Sequence, residues 1–132
     1  MIVVDASATA ELLLGRPAAD AVARHLQDHG PDLHAPHLHD AEVASVLRRH
    51  LLRGELTEQR AEGALSRMDS FPMRRYPHAL LIRRALRFRE NLTIYDGLYL
   101  ALAELLDAPL LTLDGGLGRL AGDRALPIPP RA

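Results

Sequence analysis

The chain has 132 residues, of which 48% are apolar, and its formal net charge at pH 7 is -1. This length and composition predict one domain, spanning residues 1–132, with a single hydrophobic core. No apolar run is long enough to cross a bilayer. The nearly balanced charge gives no overall basic field of the kind that attracts nucleic acid.

Two residue types are missing, and each absence excludes a class of chemistry. The chain has no Cys, which excludes disulfides, thiol nucleophiles and Cys-ligated zinc and is consistent with a cytoplasmic protein. All 16 basic residues are Arg. Walker-type phosphate binding and Schiff-base chemistry therefore lack their usual Lys.

Apolar runs alternate with helical patterns along the chain, which predicts a parallel sheet covered on both faces by helices. In chain order we expect a strand at 2–4 (in preference to a signal peptide), helices at 8–14 and 17–28, a strand at 33–35, helices at 36–53 and 57–68, a strand at 70–75, helices at 77–89 and 98–106, a strand at 110–113 and an edge strand at 125–128. Ser7, Thr57 and Thr93 are the expected helix N-caps. The strands at 2–4 and 110–113 are the most apolar, so we expect them side by side in the centre of the sheet.

Four acidic residues, Asp5, Glu42, Asp96 and Asp114, fall where predicted strands end or predicted helices begin. Strand C-termini and helix N-termini share one edge of an open α/β sheet, and such folds bind ligands there. Crowded carboxylates are costly unless a cation lies between them. Ligands that are all oxygen favour Mg²⁺ or Mn²⁺, and a carboxylate-held Mg²⁺ suits phosphodiester hydrolysis.

Each acid also has a purely structural interpretation. Asp5 could cap the following helix, Asp96 could complete a capping box, and Asp114 could be a turn residue. Glu42 could be a solvated helix residue. The repetition of acids at three strand–helix junctions favours one shared site.

The acids lie in four short segments whose order and spacing are informative. The segments are Val3-Val4-Asp5-Ala6-Ser7-Ala8, Asp40-Ala41-Glu42-Val43-Ala44, Tyr95-Asp96-Gly97-Leu98-Tyr99-Leu100-Ala101-Leu102-Ala103 and Leu111-Thr112-Leu113-Asp114. Together they resemble the PIN-domain ribonucleases and, within them, the VapC-like toxins of bacterial toxin–antitoxin pairs. The resemblance extends from Met1 to about Ile128.

The resemblance implies a three-layer fold with a central, mainly parallel sheet of four to five short strands flanked by helices. It assigns the three core metal-binding acids to Asp5, Glu42 and Asp96, and a more variable fourth acid to Asp114. Ser7 and Thr112 match hydroxyl positions beside the acids, where they would orient a carboxylate or water. Gly97 stands where the family usually has Ala.

The activity implied by the resemblance is Mg²⁺-dependent endoribonuclease cleavage, with Mn²⁺ as a possible substitute, that releases a 5′-phosphate. Mg²⁺ would lie between Asp5, Asp96 and Asp114, with Glu42 direct or through water. The implied partners are an RNA substrate, an antitoxin that blocks the cleft with Arg or Lys, and a second copy of the chain in a homodimer.

Two other function classes stay open from the residues. A haloacid-dehalogenase-like phosphatase is suggested by Asp5-Ala6-Ser7-Ala8-Thr9, although Ser7 replaces the second Asp of that motif and the Lys is absent. A PIN-like module that binds RNA or protein without cutting is the other alternative. Loss of activity in chelator and its return with Mg²⁺ separates a nuclease from such a module.

Three further groups of residues have both a structural and a functional interpretation. His34, His37 and His39 suggest a zinc site only weakly, because no fixed ligand geometry is expected around Pro36. The alternative is a surface segment whose composition is biased toward histidine. The Arg residues at 83, 84, 87 and 89 and at 48, 49 and 53 form either solvated helix faces or surfaces for phosphate or an acidic partner. Tyr95 either stacks on a base or packs half-buried.

Overall fold

The computed structural model describes residues 1–128 and contains a four-stranded sheet. Its strands are β1 (Ile2–Val4), β2 (Leu33–Pro36), β3 (Met73–Tyr76) and β4 (Leu110–Leu111). Their order is β3-β2-β1-β4, and every neighbouring pair is parallel. The predicted α/β fold with a mainly parallel sheet of four to five short strands is therefore confirmed.

Helices connect these strands. They are α1 (Ala6–Leu13), α2 (Ala19–His29), α3 (Leu38–Leu52), α4 (Glu58–Asp69), α5 (Ile82–Ala85), α6 (Ile94–Leu106) and α7 (Gly115–Ala121). Short 3-10 turns precede and follow α5, at His78–Leu80 and Leu86–Phe88, and a third follows α7 at Gly122–Arg124. Within residues 1–128, no helix combines the length and apolarity that a membrane span requires.

The sheet is the middle of three layers because side chains on successive residues of β1 point to opposite faces. Val3 packs in one cluster with Leu110 and the buried face of α6. Ile2 and Val4 pack in another cluster with residues of α1 and α2. A third cluster joins α1 to α3 and α4. This packing fixes the start of α1 and the first turns of α3 and α6 relative to the end of β1.

The chain order of the strands creates a switch point between β1 and β4. From β1 the chain moves outward through β2 to β3, and it then returns to place β4 on the other side of β1. Ligands bind at such switch points, at the C-terminal ends of the strands, because the connections diverge there and leave a crevice. The predicted contact between the strands before Asp5 and Asp114 is confirmed by the pairing of Val4 with Leu111.

The predicted central position of the last apolar strand is wrong. β4 is an edge strand of the four-stranded sheet, and β1 and β2 are central. β4 also ends at Leu111 rather than at 113, because the Thr112 hydroxyl turns to the Asp5 carboxylate. The predicted strand at 125–128 is reduced to one bridge from Ala125 to Leu110.

Two helix predictions also need correction. Ser7 is not the N-cap of α1, because the Asp5 carboxylate takes that role and accepts a hydrogen bond from Ala8 N at 3.0 Å. The predicted helix over 77–89 is a 3-10 turn, the single turn α5 and a second 3-10 turn. The predicted caps Thr57 and Thr93 are confirmed by hydrogen bonds from the backbone N–H groups of Arg60 and Asp96.

Gly97 has a packing reason that the sequence did not disclose. A Cβ at this position would lie 3.1 Å from the Ala85 carbonyl oxygen and 3.3 Å from Ala85 Cβ. The glycine therefore lets the first turns of α6 approach α5 closely. This contact offsets the lower helix propensity of Gly, which is of order 1 kcal/mol relative to Ala.

The burial of α6 gives a matched test of the core. Leu102 is fully buried and Leu105, on the same helix, is 48% exposed. Leu102→Ala should lower the free energy of unfolding by about 2–5 kcal/mol, because it removes buried apolar contacts and leaves a cavity. Leu105→Ala should change it by less than about 0.5 kcal/mol. Chemical denaturation of both variants checks this, and equal losses would contradict the assigned orientation of α6.

Candidate active site

The four predicted acids line a single cleft of about 380 Å³ at the C-terminal edge of the sheet. The residues around the cleft are Asp5, Ala6, Ser7, Glu42, Ser45, Val46, Arg49, Asp96, Tyr99 and Asp114. They come from the β1–α1 junction, two turns of α3, the start of α6 and the β4–α7 junction. The structure thus brings together side chains that lie as far apart in the chain as residues 5 and 114.

Asp5 is the most buried of the four acids, with 4% of its surface exposed. Its Oδ1 accepts hydrogen bonds from Ser7 Oγ at 2.6 Å and from Ala8 N at 3.0 Å. Its Oδ2 accepts a hydrogen bond from Thr112 Oγ1. Burial raises the pKa of Asp5 to about 6, the three hydrogen bonds oppose that rise, and the negative charge of Asp96 adds to it.

The hydroxyls of Ser7 and Thr112 join the two strand–helix junctions of the cleft. Ser7 Oγ accepts a hydrogen bond from Leu113 N at 3.0 Å, and Thr112 Oγ1 accepts one from Asp114 N at 3.0 Å. Each hydroxyl therefore donates to Asp5 and accepts from the backbone that follows β4. Both hydroxyls therefore lie beside Asp5, and their hydrogen bonds orient its carboxylate.

Glu42 is held from the opposite side of the cleft by a residue that the sequence analysis did not single out. Tyr99 OH donates a hydrogen bond to Glu42 Oε1 at 2.7 Å. Burial, followed by the Glu42 charge and hydrogen bond, raises the pKa of Tyr99, so the phenol keeps its proton. Burial also raises the pKa of Glu42, with a smaller contribution from Asp96 and an opposing one from the Tyr99 hydrogen bond. The spacing of Tyr99 from Asp96, three residues on a helix, is the signal that could have identified it.

Asp96 lies in the first turn of α6, where the Thr93 hydroxyl accepts a hydrogen bond from Asp96 N at 3.2 Å. Within the described residues the Asp96 carboxylate accepts no hydrogen bond, so the reciprocal half of a capping box is not formed. Burial raises the pKa of Asp96, and the charge of Asp114 raises it further. The first turn of α6 positions the Asp96 carboxylate, and its oxygens remain available to a ligand.

Asp114 caps α7 rather than merely completing a turn. Its Oδ1 accepts a hydrogen bond from Leu117 N at 2.9 Å. Its charge influences Asp96, as the raised pKa of Asp96 shows. Asp114 thus combines a capping role with a position in the wall of the cleft.

The donor set fits a hard divalent cation in its chemistry, because the cleft offers carboxylate and hydroxyl oxygens. Within residues 1–128, however, no three His, Asp or Glu side chains stand close enough together to hold a metal ion as they are. Asp5, Glu42 and Asp114 each have a carboxylate oxygen engaged in a hydrogen bond to another group. A cation in the cleft would draw the carboxylates inward and relieve the repulsion.

Within residues 1–128, His34, His37 and His39 form no metal-binding group. His34 Nδ1 lies 2.7 Å from Tyr76 OH, whereas His39 Nε2 lies 2.8 Å from Thr9 Oγ1. His34 and His39 are buried, with 5% and 0% of their surfaces exposed. The interpretation as a biased surface segment is therefore wrong for these two residues, which pack inside the fold with separate partners.

The arginines divide by position. Arg49 lies in the wall of the acidic cleft, whereas Arg48 and Arg53 do not. The arginines at 83, 84, 87 and 89 lie on the irregular segment around α5, not on one continuous helix. Glu42, Ser45 and Arg49 are separated by three and four residues on α3. Their side chains therefore lie on one face of this helix.

Comparisons with known proteins agree with this architecture. Residues 2–123 match the PIN domain family. The chain is 41% identical to ribonuclease VapC12 of Mycobacterium tuberculosis over 125 residues, covering 95% of each chain. It is 44% identical to ribonuclease VapC1 of the same species over 121 residues, covering 91% of this chain and 90% of that one.

Two solved structures share the fold. The crystal structure of PAE2754 from Pyrobaculum aerophilum superposes with a TM-score of 0.70 at 27% identity, covering 95% of this chain and 87% of that one. M. tuberculosis VapC20, a sarcin-ricin loop cleaving toxin, gives the same TM-score at 18% identity, covering 92% and 95% of the two chains. The second likeness bears on the fold alone.

The raised pKa of Asp5 predicts a pH-dependent loss of stability in metal-free protein. A carboxyl whose pKa is raised by folding stabilises the fold below its ordinary pKa of 3.8, and that contribution is lost as pH rises through about 6. Between pH 4 and pH 8 the wild type should lose about 2–3 kcal/mol of unfolding free energy relative to Asp5→Asn, since one pKa unit corresponds to about 1.4 kcal/mol. Denaturation of both proteins in chelator across this range measures the difference.

Mg²⁺ provides the control for this experiment. A cation that stabilises the ionised carboxylate should remove most of the pH-dependent difference between wild type and Asp5→Asn. Parallel stability curves for the two proteins in chelator would show that Asp5 ionises without cost and would contradict its assigned environment.

Proposed function

We propose that this chain, which belongs to the PIN-domain family, is a VapC-type endoribonuclease whose active site is the acidic cleft. The observation that carries the proposal is the meeting of Asp5, Glu42, Asp96 and Asp114 around one cavity at the switch point of the sheet. The chain also covers its ribonuclease relatives nearly end to end, at 41–44% identity. The phosphatase alternative fails, because the family match spans residues 2–123 and is to a different family.

We assign Asp5, Asp96 and Asp114 as the residues that would hold Mg²⁺, with Glu42 as a direct or water-mediated fourth ligand. When bound, Mg²⁺ would supply a lowered pKa for attacking water and neutralise charge on the scissile phosphate. Ser7 and Thr112 keep Asp5 oriented through the two hydrogen bonds that they donate to it. Mn²⁺ is expected to substitute, since it accepts the same oxygen ligands.

The chain's own groups can also manage a proton. Glu42 lines the cleft, and its Oε1 accepts a hydrogen bond from Tyr99 OH. Its raised pKa brings the carboxylate closer to the operating pH and makes it a better proton acceptor. We therefore assign Glu42 a second role, in taking a proton from the attacking water.

The biological setting follows from the VapC-type relatives. We infer that the chain acts as the toxin of a toxin–antitoxin pair in the cytoplasm, where cellular RNA is its substrate. A cognate antitoxin would offer Arg or Lys to the acidic cleft and block it. Homodimerisation is also proposed, and the exposed apolar side chains Leu80, Ile82 and Leu86 on the segment around α5 support it.

Metal-dependent cleavage is the direct test of the nuclease. Purified wild-type protein should cut total RNA in Mg²⁺ and lose that activity in chelator. Asp5→Ala, Glu42→Ala and Asp96→Ala should each lower the rate by about 100-fold or more, and double variants should be little worse, because residues that act as a unit are not additive. Expression of the wild type without antitoxin should arrest growth, whereas expression of these variants should not.

Arg48→Gln serves as the control, because Arg48 lies on α3 outside the cleft. An Asp96→Ala protein that is folded and cuts RNA at the wild-type rate would place the active site elsewhere. Wild-type protein that binds RNA but never cuts it, with or without Mg²⁺, would favour the alternative of a non-catalytic PIN-like module.

Asp114 can be tested separately from its capping role. Asn is as good an N-cap as Asp, so Asp114→Asn should keep α7 intact while it removes one negative charge from the cleft. The variant should need more Mg²⁺ for half-maximal cleavage, with a shift of order tenfold, and its melting temperature in chelator should not fall. If Asp114→Asn keeps full activity at limiting Mg²⁺, Asp114 acts only as the N-cap of α7.

A further inference from the structure

A second cavity adjoins the acidic cleft and has a different character. It measures about 290 Å³ and is lined by Leu38, Ala41, Glu42, Ser45 and Tyr95. This volume is near the lower end of the range of about 300–1,000 Å³ that is typical of small-molecule pockets. Its walls supply aliphatic and aromatic surface, with Glu42 and Ser45 at the boundary to the acidic cleft.

The two cavities are neighbours along the surface, because Glu42 and Ser45 line both of them. Both follow the same helix, α3, whose exposed face presents Ala41 at one end of this surface and Arg49 at the other. Eight residues at 1.5 Å each place these ends about 12 Å apart along the helix axis. A single ligand strand that crosses the active site would therefore meet both cavities.

Tyr95 is suited to bind a planar, apolar ring. Its side chain is 59% exposed, although it is the residue directly before Asp96. Exposed aromatic side chains beside a nuclease site provide stacking surfaces for unpaired bases. The neighbouring Leu38 and Ala41 supply apolar contact to the edge of such a ring.

Arg49 is suited to bind a phosphate. Of the described residues that line the acidic cleft, Arg49 alone is basic, and the same cleft contains four carboxylates. It makes no ion pair within residues 1–128, in contrast to Arg16, Arg75, Arg84 and Arg124. A guanidinium that is exposed and uncommitted at the wall of the cleft can form a bidentate contact with a phosphate oxygen pair.

We propose that the substrate strand runs along the exposed face of α3, with a nucleobase stacked on Tyr95 in the side cavity and a neighbouring phosphate bound by Arg49. This inference rests on the proposed ribonuclease function and adds to it a base subsite and a phosphate-positioning residue. The acids repel an RNA backbone until a cation is bound, so Arg49 supplies a fixed attraction that keeps the strand in register with them. Tyr95 makes the enzyme selective for unpaired RNA at the flanking position.

Binding can be measured without cleavage in an Asp96→Asn background that also contains Mg²⁺. The probe is a fluorescently labelled single-stranded RNA oligonucleotide of defined sequence, and its affinity is read by anisotropy. Adding Arg49→Gln should weaken binding by about tenfold and lower the slope of log Kd against log salt by about 0.7, the value for one phosphate contact on a single strand. Adding Arg48→Gln, the matched control on the same helix, should leave the salt slope within about 0.2 of the parent.

The base subsite is tested with Tyr95 variants and abasic RNA. Tyr95→Ala should weaken binding by roughly 5- to 150-fold, and Tyr95→Phe should retain most of the affinity because the stacking ring remains. When an abasic nucleotide is placed at each position in turn, the abasic nucleotide at one position should weaken binding to the parent protein about as much as Tyr95→Ala weakens binding to intact RNA. The two losses at that position should not add, because they remove the same contact.

Equal effects of Arg49→Gln and Arg48→Gln would overturn the phosphate assignment. The base subsite would be overturned if Tyr95→Ala bound RNA with full affinity, or if its loss of affinity added to the loss from an abasic nucleotide at every position. A loss of affinity in Tyr95→Ala that follows a change of oligomeric state would also overturn it. If the wild type binds with these signatures but never cuts RNA, the ribonuclease proposal fails while the strand path stands.

Discussion

Confinement of four carboxylates at the β1–β4 switch point is the constraint on which the rest of the structure depends. Their burial and proximity raise the pKa values of Asp5, Glu42 and Asp96, and each shift has burial as its largest cause. Hydroxyl groups offset part of this cost at two of the acids, since Ser7 and Thr112 donate to Asp5 and the Tyr99 phenol donates to Glu42. Repulsion between neighbouring carboxylates adds a smaller part of the cost, from Asp96 on Asp5 and Glu42 and from Asp114 on Asp96.

The sheet order provides the geometry for this constraint. With β4 beside β1, Asp5 and the Thr112–Asp114 segment are adjacent, and the Ser7 and Thr112 hydroxyls can bind both sides of the junction. Packing of α6 against the sheet then brings Asp96 and Tyr99 to the same place. Packing of α3 against α1 completes the cleft with Glu42 and extends it to Arg49. The site is therefore a product of three packing contacts, each made by apolar residues outside it.

Much of this architecture could be predicted from the sequence, because the signals were local. Apolar runs that end in Asp, helix caps at Thr57 and Thr93, and parallel strands joined by helices all follow from short-range patterns. The errors arose where tertiary contacts decide. Asp5 rather than Ser7 caps α1 because Ser7 is drawn to both Asp5 and Leu113, and β4 ends early because Thr112 turns to Asp5.

Other features that the sequence left undecided have the same explanation. Tyr99 matters only because α6 faces α3 across the cleft, and the position of Arg49 depends on the orientation of α3. The buried states of His34 and His39 likewise depend on partners 42 and 30 residues away. A single sequence carries no record of such pairings. The position of Gly97 is similar, since its value lies in the approach of Ala85.

The most direct test of the account is the location of a bound metal in a crystal of this protein. Crystals soaked in Mn²⁺ give anomalous difference density at the ion, independently of any assay of activity. We expect a peak in the acidic cleft, within ligand distance of the Asp5, Asp96 and Asp114 carboxylates and with those carboxylates drawn together around it. A strong peak at another site, or an empty cleft at Mn²⁺ concentrations that support RNA cleavage, would contradict it.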